Sequence, residues 1–159
     1  MTRILSAPRQ RVQLQDILAD HEPSYRSRGE AQIGRLLDRY GIPFQYEAPL
    51  QLDDQQRNRT WHPDFTLPRD DYAPLILEYA GMPDKPDYMA GLRHKEKTYA
   101  ENRFDAMLIY PQDLQGPAWS QRLYNRVRQA YERPRPAMRY PATSLIRASY
   151  ARPNRGYRR

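Results

Sequence analysis

Apolar residues recur at helical spacing in three stretches of this chain and at strand spacing between them. Ile33, Leu36, Leu37 and Tyr40 share one face of a helix that the sequence starts at Ser27 and closes at Tyr40, with Gly41 in the C-terminal capping position. A second helix is predicted over 85–102, where Asp84 and Asp87 suit the positive end of the helix dipole. A third is predicted over 119–131, with Trp119, Leu123, Val127, Ala130 and Tyr131 on one side. Phe44 to Leu52 has the composition of a strand interrupted by Pro49, and 60–67 with 74–80 that of a hairpin. Pro63 marks an edge or the start of its strand. Ala106 to Tyr110 forms one more short apolar strand. The order is helix, three strands, helix, strand, helix, which is an α/β chain without internal repeats. Ahead of it, Val12, Leu14, Ile17 and Leu18 suggest one short amphipathic turn or helix within residues 1–24.

The hairpin brings two acids together. If it is centred on Asp71, Asp64 faces Glu78, and directly opposed side chains have Cβ atoms ~4.5 to 5.5 Å apart, where like charges destabilise the sheet. A divalent cation held by both carboxylates would resolve that repulsion, and Mg²⁺ takes one or two protein carboxylates while keeping water and phosphate in the rest of its shell. A register one residue off would instead send one acid to the other face. Glu30 follows Ser27 at capping-box spacing, yet it lies only about 20° from Leu37 around the helix and so borders the buried stripe. On the second helix, counted from Tyr88, Leu92 lies at about 40°, Lys95 at about −20° and Tyr99 at about 20°, whereas Lys97 falls on the opposite face. Lys95 therefore points inward, either to meet a carboxylate or phosphate or to extend along the helix to solvent.

Composition narrows the chemistry. The 159 residues suffice for one packed domain. No stretch approaches the run of about 20 apolar residues that a membrane span needs, and the N-terminus lacks the apolar core of a secretory signal, so a soluble, cytoplasmic protein is expected. Cysteine is absent, which excludes disulfides, a thiolate nucleophile and a Cys-based zinc site; His21, His62 and His94 are too scattered in sequence for an all-histidine centre. Any metal must then rest on Asp and Glu.

The net charge of +7 lies entirely in one segment. Residues 1–133 carry 19 basic and 19 acidic side chains, whereas 134–159 hold Arg135, Arg139, Arg147, Arg152, Arg155, Arg158 and Arg159 and no acid. Prolines and tyrosines interleave these arginines, a composition that builds no core of its own. An extended arm that binds nucleic acid fits it, since guanidinium forks grip phosphate and tyrosine rings stack on bases. A solvated terminus, or one that wraps a partner subunit, has the same composition.

Ser27-Arg28-Gly29-Glu30-Ala31, Tyr46-Glu47, Pro63-Asp64-Phe65 and Leu77-Glu78-Tyr79-Ala80-Gly81-Met82, followed by Tyr88, Lys95, Tyr99 and Asn102, resemble in this order the PD-(D/E)xK nuclease superfamily. The likeness runs from about Tyr25 to Leu114 and is greatest to small nuclease domains found alone in mobile elements or attached to helicases. It implies a restriction-endonuclease-like fold, a mixed central sheet flanked by helices, in residues 25–133. It also implies Asp64 and Glu78 as metal ligands, Glu30 completing the acidic site, and a lysine that orients or activates the attacking water. The family's lysine stands two residues after the Glu, where this chain has Ala80; some members carry it on the following helix, and Lys95 fits that arrangement. The expectation is an endonuclease dependent on Mg²⁺ or Mn²⁺ that acts on DNA, paired with a second copy or a partner protein if both strands are cut. Two rivals stand beside it: a catalytically inactive nuclease-fold module that binds nucleic acid or protein, and a small basic structural protein of an RNA assembly.

Overall fold

The computed structural model describes residues 23–70 and 72–132. The short N-terminal element, Asp71 and the arginine arm of 134–159 lie outside the described residues. Helix α1 spans Arg28–Arg39, and the Ser27 hydroxyl accepts the Glu30 N–H at its start. It ends in a Schellman-type cap: Ile42 N–H reaches the Leu37 carbonyl and Gly41 N–H that of Asp38, with Gly41 at a φ of 65°. The strands are β1 (Gln45–Tyr46), β2 (Leu50–Asp54), β3 (Arg57–Trp61), β4 (Phe65–Leu67) and β5 (Leu75–Tyr79). Helix α2 (Pro86–Glu101), β6 (Asp105–Ile109), a 3-10 turn over Pro111–Leu114 and helix α3 (Trp119–Glu132) complete the chain. No described helix is long and apolar enough to cross a membrane.

The result is a mixed α/β fold whose four-stranded sheet runs β1-β4-β5-β6, antiparallel except for the parallel pair β5 and β6. The two long segments expected as single strands are each divided. Glu47 has a φ of 48° and Pro49 follows, so 44–52 breaks into β1 and β2. Likewise 60–67 breaks at His62-Pro63 into the end of β3 and all of β4. The detached halves, β2 and β3, pair with each other as a separate two-stranded ribbon. Three expected strands thus become five.

Alternation along the strands sorts the core into two layers. Phe65, Leu67, Leu75, Leu77 and Ile109 face Ile33, Leu36 and Leu37 of α1 and Leu123 and Val127 of α3. On the other face, Ile76 packs with Tyr99 of α2, Phe104, and Leu50 and Leu52 of the ribbon, while Leu108 and Ala80 pack with Leu92. Asp64, Thr66, Ile76 and Glu78 share this second face by parity. α2 therefore covers the acids, and α1 approaches from behind.

Two glycines of α1 are required by close approach. A Cβ at Gly34 would stand 2.1 Å from the hydroxyl oxygen of Tyr25, and one at Gly29 would stand 2.2 Å from Cζ of Tyr79. The Tyr25 ring is itself fixed against Tyr46, at a centroid distance of 4.8 Å. Alanine normally stabilises a helix interior by about 1 kcal/mol over glycine. Here Gly34→Ala is expected to destabilise by about 1–3 kcal/mol, because the ring must leave its site. Thermal unfolding checks this, and a rise in Tm would contradict it.

Candidate active site

β4 and β5 pair Phe65 with Leu77, Thr66 with Ile76 and Leu67 with Leu75. Continued one step, this register sets Asp64 opposite Glu78, the alignment of a hairpin centred on residue 71. Asp64 lies just before β4, where Pro63 ends the extended run from the ribbon. Its Oδ2 accepts the Tyr79 N–H at 2.7 Å, and its carbonyl accepts the Glu47 N–H. The acid is thus fixed to the neighbouring strand by main-chain contacts.

Glu78 is only 2 % exposed, and each of its oxygens is held by one donor from α2. Tyr99 Oη donates to Oε1 at 2.5 Å and Lys95 Nζ to Oε2 at 2.9 Å. Tyr99 is fully buried, while the Lys95 side chain is 36 % exposed. The helix brings both donors to one point because they are one turn apart on its inward stripe, with Tyr88 and Leu92. Tyr88 closes the same end of the sheet: its hydroxyl donates to the Tyr79 carbonyl and accepts the Gly81 N–H. Ala80, two residues after Glu78, is buried beside Leu92 and Leu108. The cation that meets Glu78 comes from the helix instead, as Lys95.

Glu30 is buried at the start of α1. The Ser27 hydroxyl donates to its Oε1 at 2.7 Å and the Tyr46 hydroxyl to its Oε2. Glu30 consequently serves as cap partner and inward-facing acid at once. Tyr46 in turn accepts the Arg26 N–H, and burial together with the Glu30 hydrogen bond pushes its phenol well above its usual proton affinity. Glu47 pairs with Arg26 at 2.7 Å and His62 Nδ1 lies 3.0 Å from the Glu47 carbonyl, so both serve structural contacts.

Asp64 carries the electrostatic signature of the site. Burial first, and then the negative charge of Glu78, push its carboxyl from 3.8 up to about 7; Glu30 adds to the rise, while the Tyr79 N–H and Lys95 oppose it. Asp64, Glu78, Glu30 and Lys95 therefore share one field, with three acids against one ammonium. Sequence reasoning placed those four but gave Tyr99 and Tyr46 no part in holding the carboxylates. The inward phase of Tyr99, four residues after Lys95, was the available signal.

No family model, curated protein or solved structure matches this chain. Among the described residues no three His, Asp or Glu side chains form a ready-made cation cage. The donor set nonetheless suits a hard cation: Asp64 and Glu78 offer carboxylate oxygens with lone pairs left over, and Mg²⁺ uses one or two such groups. A divalent ion between them would also offset the burial and the Glu78 repulsion that together hold the Asp64 proton in place.

The raised Asp64 value gives a test on folding alone. In the native state Asp64 keeps a proton that the unfolded chain has lost between pH 3.8 and about 7. Its contribution therefore favours folding near pH 4 and is lost as pH rises through 7. The size of the rise sets an upper bound of about 4 kcal/mol, which partial solvent access reduces to the order of 2 kcal/mol. Asp64→Asn is expected to raise metal-free stability at pH 8 by that order, with the gain vanishing toward pH 4. Urea unfolding at the two pH values measures it, and an equal effect at both would contradict the assignment.

Proposed function

We propose that this protein is a divalent-metal-dependent nuclease that hydrolyses phosphodiester bonds, a DNA endonuclease with a restriction-endonuclease-like fold and its lysine on the helix after the acidic strand. The observation that carries this reading is the convergence of Asp64, Glu78 and Lys95 at one end of β4 and β5, with the Asp64 carboxyl pushed up to about 7 by burial and by Glu78. Asp64 and Glu78 are the residues that would hold Mg²⁺ or Mn²⁺. A bound ion would supply Lewis-acid polarisation of the phosphate and a water of lowered pKa.

The chain's own groups have separate tasks. Tyr99 fixes one oxygen of Glu78, leaving the carboxylate a single orientation. Lys95 reaches the other oxygen from a half-open position, so its ammonium can also face the phosphate and the negative charge that builds as a water oxygen attacks phosphorus and the bond to the leaving sugar oxygen breaks. Glu30 stands behind Asp64 as a third acid that orients water. The arginines of 134–159 are assigned to phosphate contact on composition alone.

Cleavage of supercoiled plasmid with Mg²⁺ or Mn²⁺ tests the reading. Asp64→Ala and Glu78→Ala are expected to abolish cutting, and full activity in either would overturn the proposal. Lys95→Ala is expected to keep metal binding while losing at least about 100-fold in turnover. If the wild type binds nucleic acid and does not cut it, the inactive-module reading is correct instead.

Metal affinity measured by calorimetry gives a second readout. Binding must release the Asp64 proton, so affinity is expected to strengthen as pH rises through about 7. Asp64→Asn removes both the affinity and its pH dependence. A flat profile would show that Asp64 is not a ligand.

A further inference from the structure

The β2–β3 ribbon carries a strained tip. Asp54 pairs with Arg57, so Gln55 and Gln56 form a two-residue connection, with φ values of 54° and 63°. Positive φ at both central positions is the pattern of a type I′ turn, whose favoured occupants are Asn and Gly. Left-handed backbone costs a residue with a Cβ about 1–2 kcal/mol. Two glutamines are therefore kept where Asn-Gly would be more stable, and what they add is a pair of long exposed amides at the outermost point of the ribbon.

The strand behind the tip is as unusual. Arg57, Asn58, Arg59 and Thr60 are all exposed. Neither arginine has an ion pair among the described residues; Asp54, across from Arg57, turns to His94 instead, at 3.1 Å. The ribbon is nevertheless firmly set. Leu50 and Leu52 are buried with Tyr99 and Phe104, and Trp61 meets the Tyr99 ring edge-on at 5.4 Å. Asn102 binds both the N–H and the carbonyl of Asp53, at 2.7 and 2.6 Å. Its base leads through His62-Pro63 directly into Asp64, and its inner side rests on the tyrosine that holds Glu78.

We infer that this ribbon enters the major groove of a B-form DNA duplex, Gln55 and Gln56 meeting base edges and Arg57 and Arg59 the flanking phosphates, which makes duplex DNA the substrate of the carboxylate site. Only that last clause rests on the nuclease reading. A B-form major groove about 12 Å wide admits a two-stranded ribbon, and the glutamine amide matches the donor and acceptor that adenine presents there. The major groove of A-form RNA is too deep and narrow to be read by side chains. Gln56 lies five positions before Trp61, about 17 Å of extended strand, so the tip would reach about half a helical turn beyond the base of the ribbon.

Fluorescence anisotropy tests this with the full chain carrying Asp64→Asn, against a 20-base-pair DNA duplex, the matching RNA duplex and single-stranded DNA. The DNA duplex is expected to bind most tightly. Gln55→Asn with Gln56→Gly is expected to raise Tm yet weaken duplex binding by about tenfold, which separates loss of contact from loss of fold. Arg57→Gln with Arg59→Gln is expected to reduce the logarithmic salt slope by about 1.8, the value for two phosphates. Equal binding of the three nucleic acids, a preference for RNA or single strands, or unchanged affinity and slope in both ribbon variants would overturn the inference. Plasmid cleavage is scored separately. If Asp64→Ala still cuts, the catalytic reading fails while the binding result stands; if it does not cut but the ribbon variants bind and cut as before, only the ribbon inference fails.

Discussion

The buried carboxylate of Glu78 is the constraint around which this fold is arranged. An acid with 2 % exposure on a sheet face must be met by donors, and they have to come from the element that crosses that face. α2 supplies two, Tyr99 and Lys95, and the parallel connection from β5 to β6 is what lays it across. Leu92 on Ala80 and Tyr88 on the Tyr79 carbonyl fix the helix at its other end. Each of these contacts is ordinary. Their common effect is that Lys95 is held beside the Glu78 carboxylate.

Asp64 lacks an equivalent clamp. Burial, and then the charges of Glu78 and Glu30, outweigh its single main-chain donor, so its proton is retained to about neutral pH. The two opposed acids therefore differ in kind: one is neutralised by the protein, and the other depends on what the solvent brings. The same division runs through the ribbon, whose inner side is packed on Tyr99 while its outer strand has two arginines with no ion pair among the described residues.

Much of this is legible in the sequence because it depends on period. The phase of Lys95 follows from Tyr88, Leu92 and Tyr99, and the facing of Asp64 and Glu78 from the length of the turn between them. The division of 44–52 and 60–67 is only half legible. Pro49 and Pro63 mark the breaks, but which sheet each fragment joins is decided by Leu50, Leu52 and Trp61 packing on Tyr99 and Phe104, about 40 residues or more away in sequence for most of these pairs. The hydroxyls of Tyr99 and Tyr46 are hidden for another reason. A tyrosine on a buried stripe looks like core until the distance to a carboxylate is known, and both are core and donor together.

Arg69 fixes where the end of α3 lies. Its Nη1 donates to the Ala130 carbonyl and its Nε to that of Ala73, and the Tyr131 hydroxyl donates to the Pro68 carbonyl. The last turn of α3 is thereby tied to the connection between β4 and β5, which is the opposite end of those strands from Asp64 and Glu78. The described chain thus ends, at Glu132, at the far pole of the sheet. The carboxylate end of those strands is accordingly bordered by α1 and α2, while the last turn of α3 braces the opposite end.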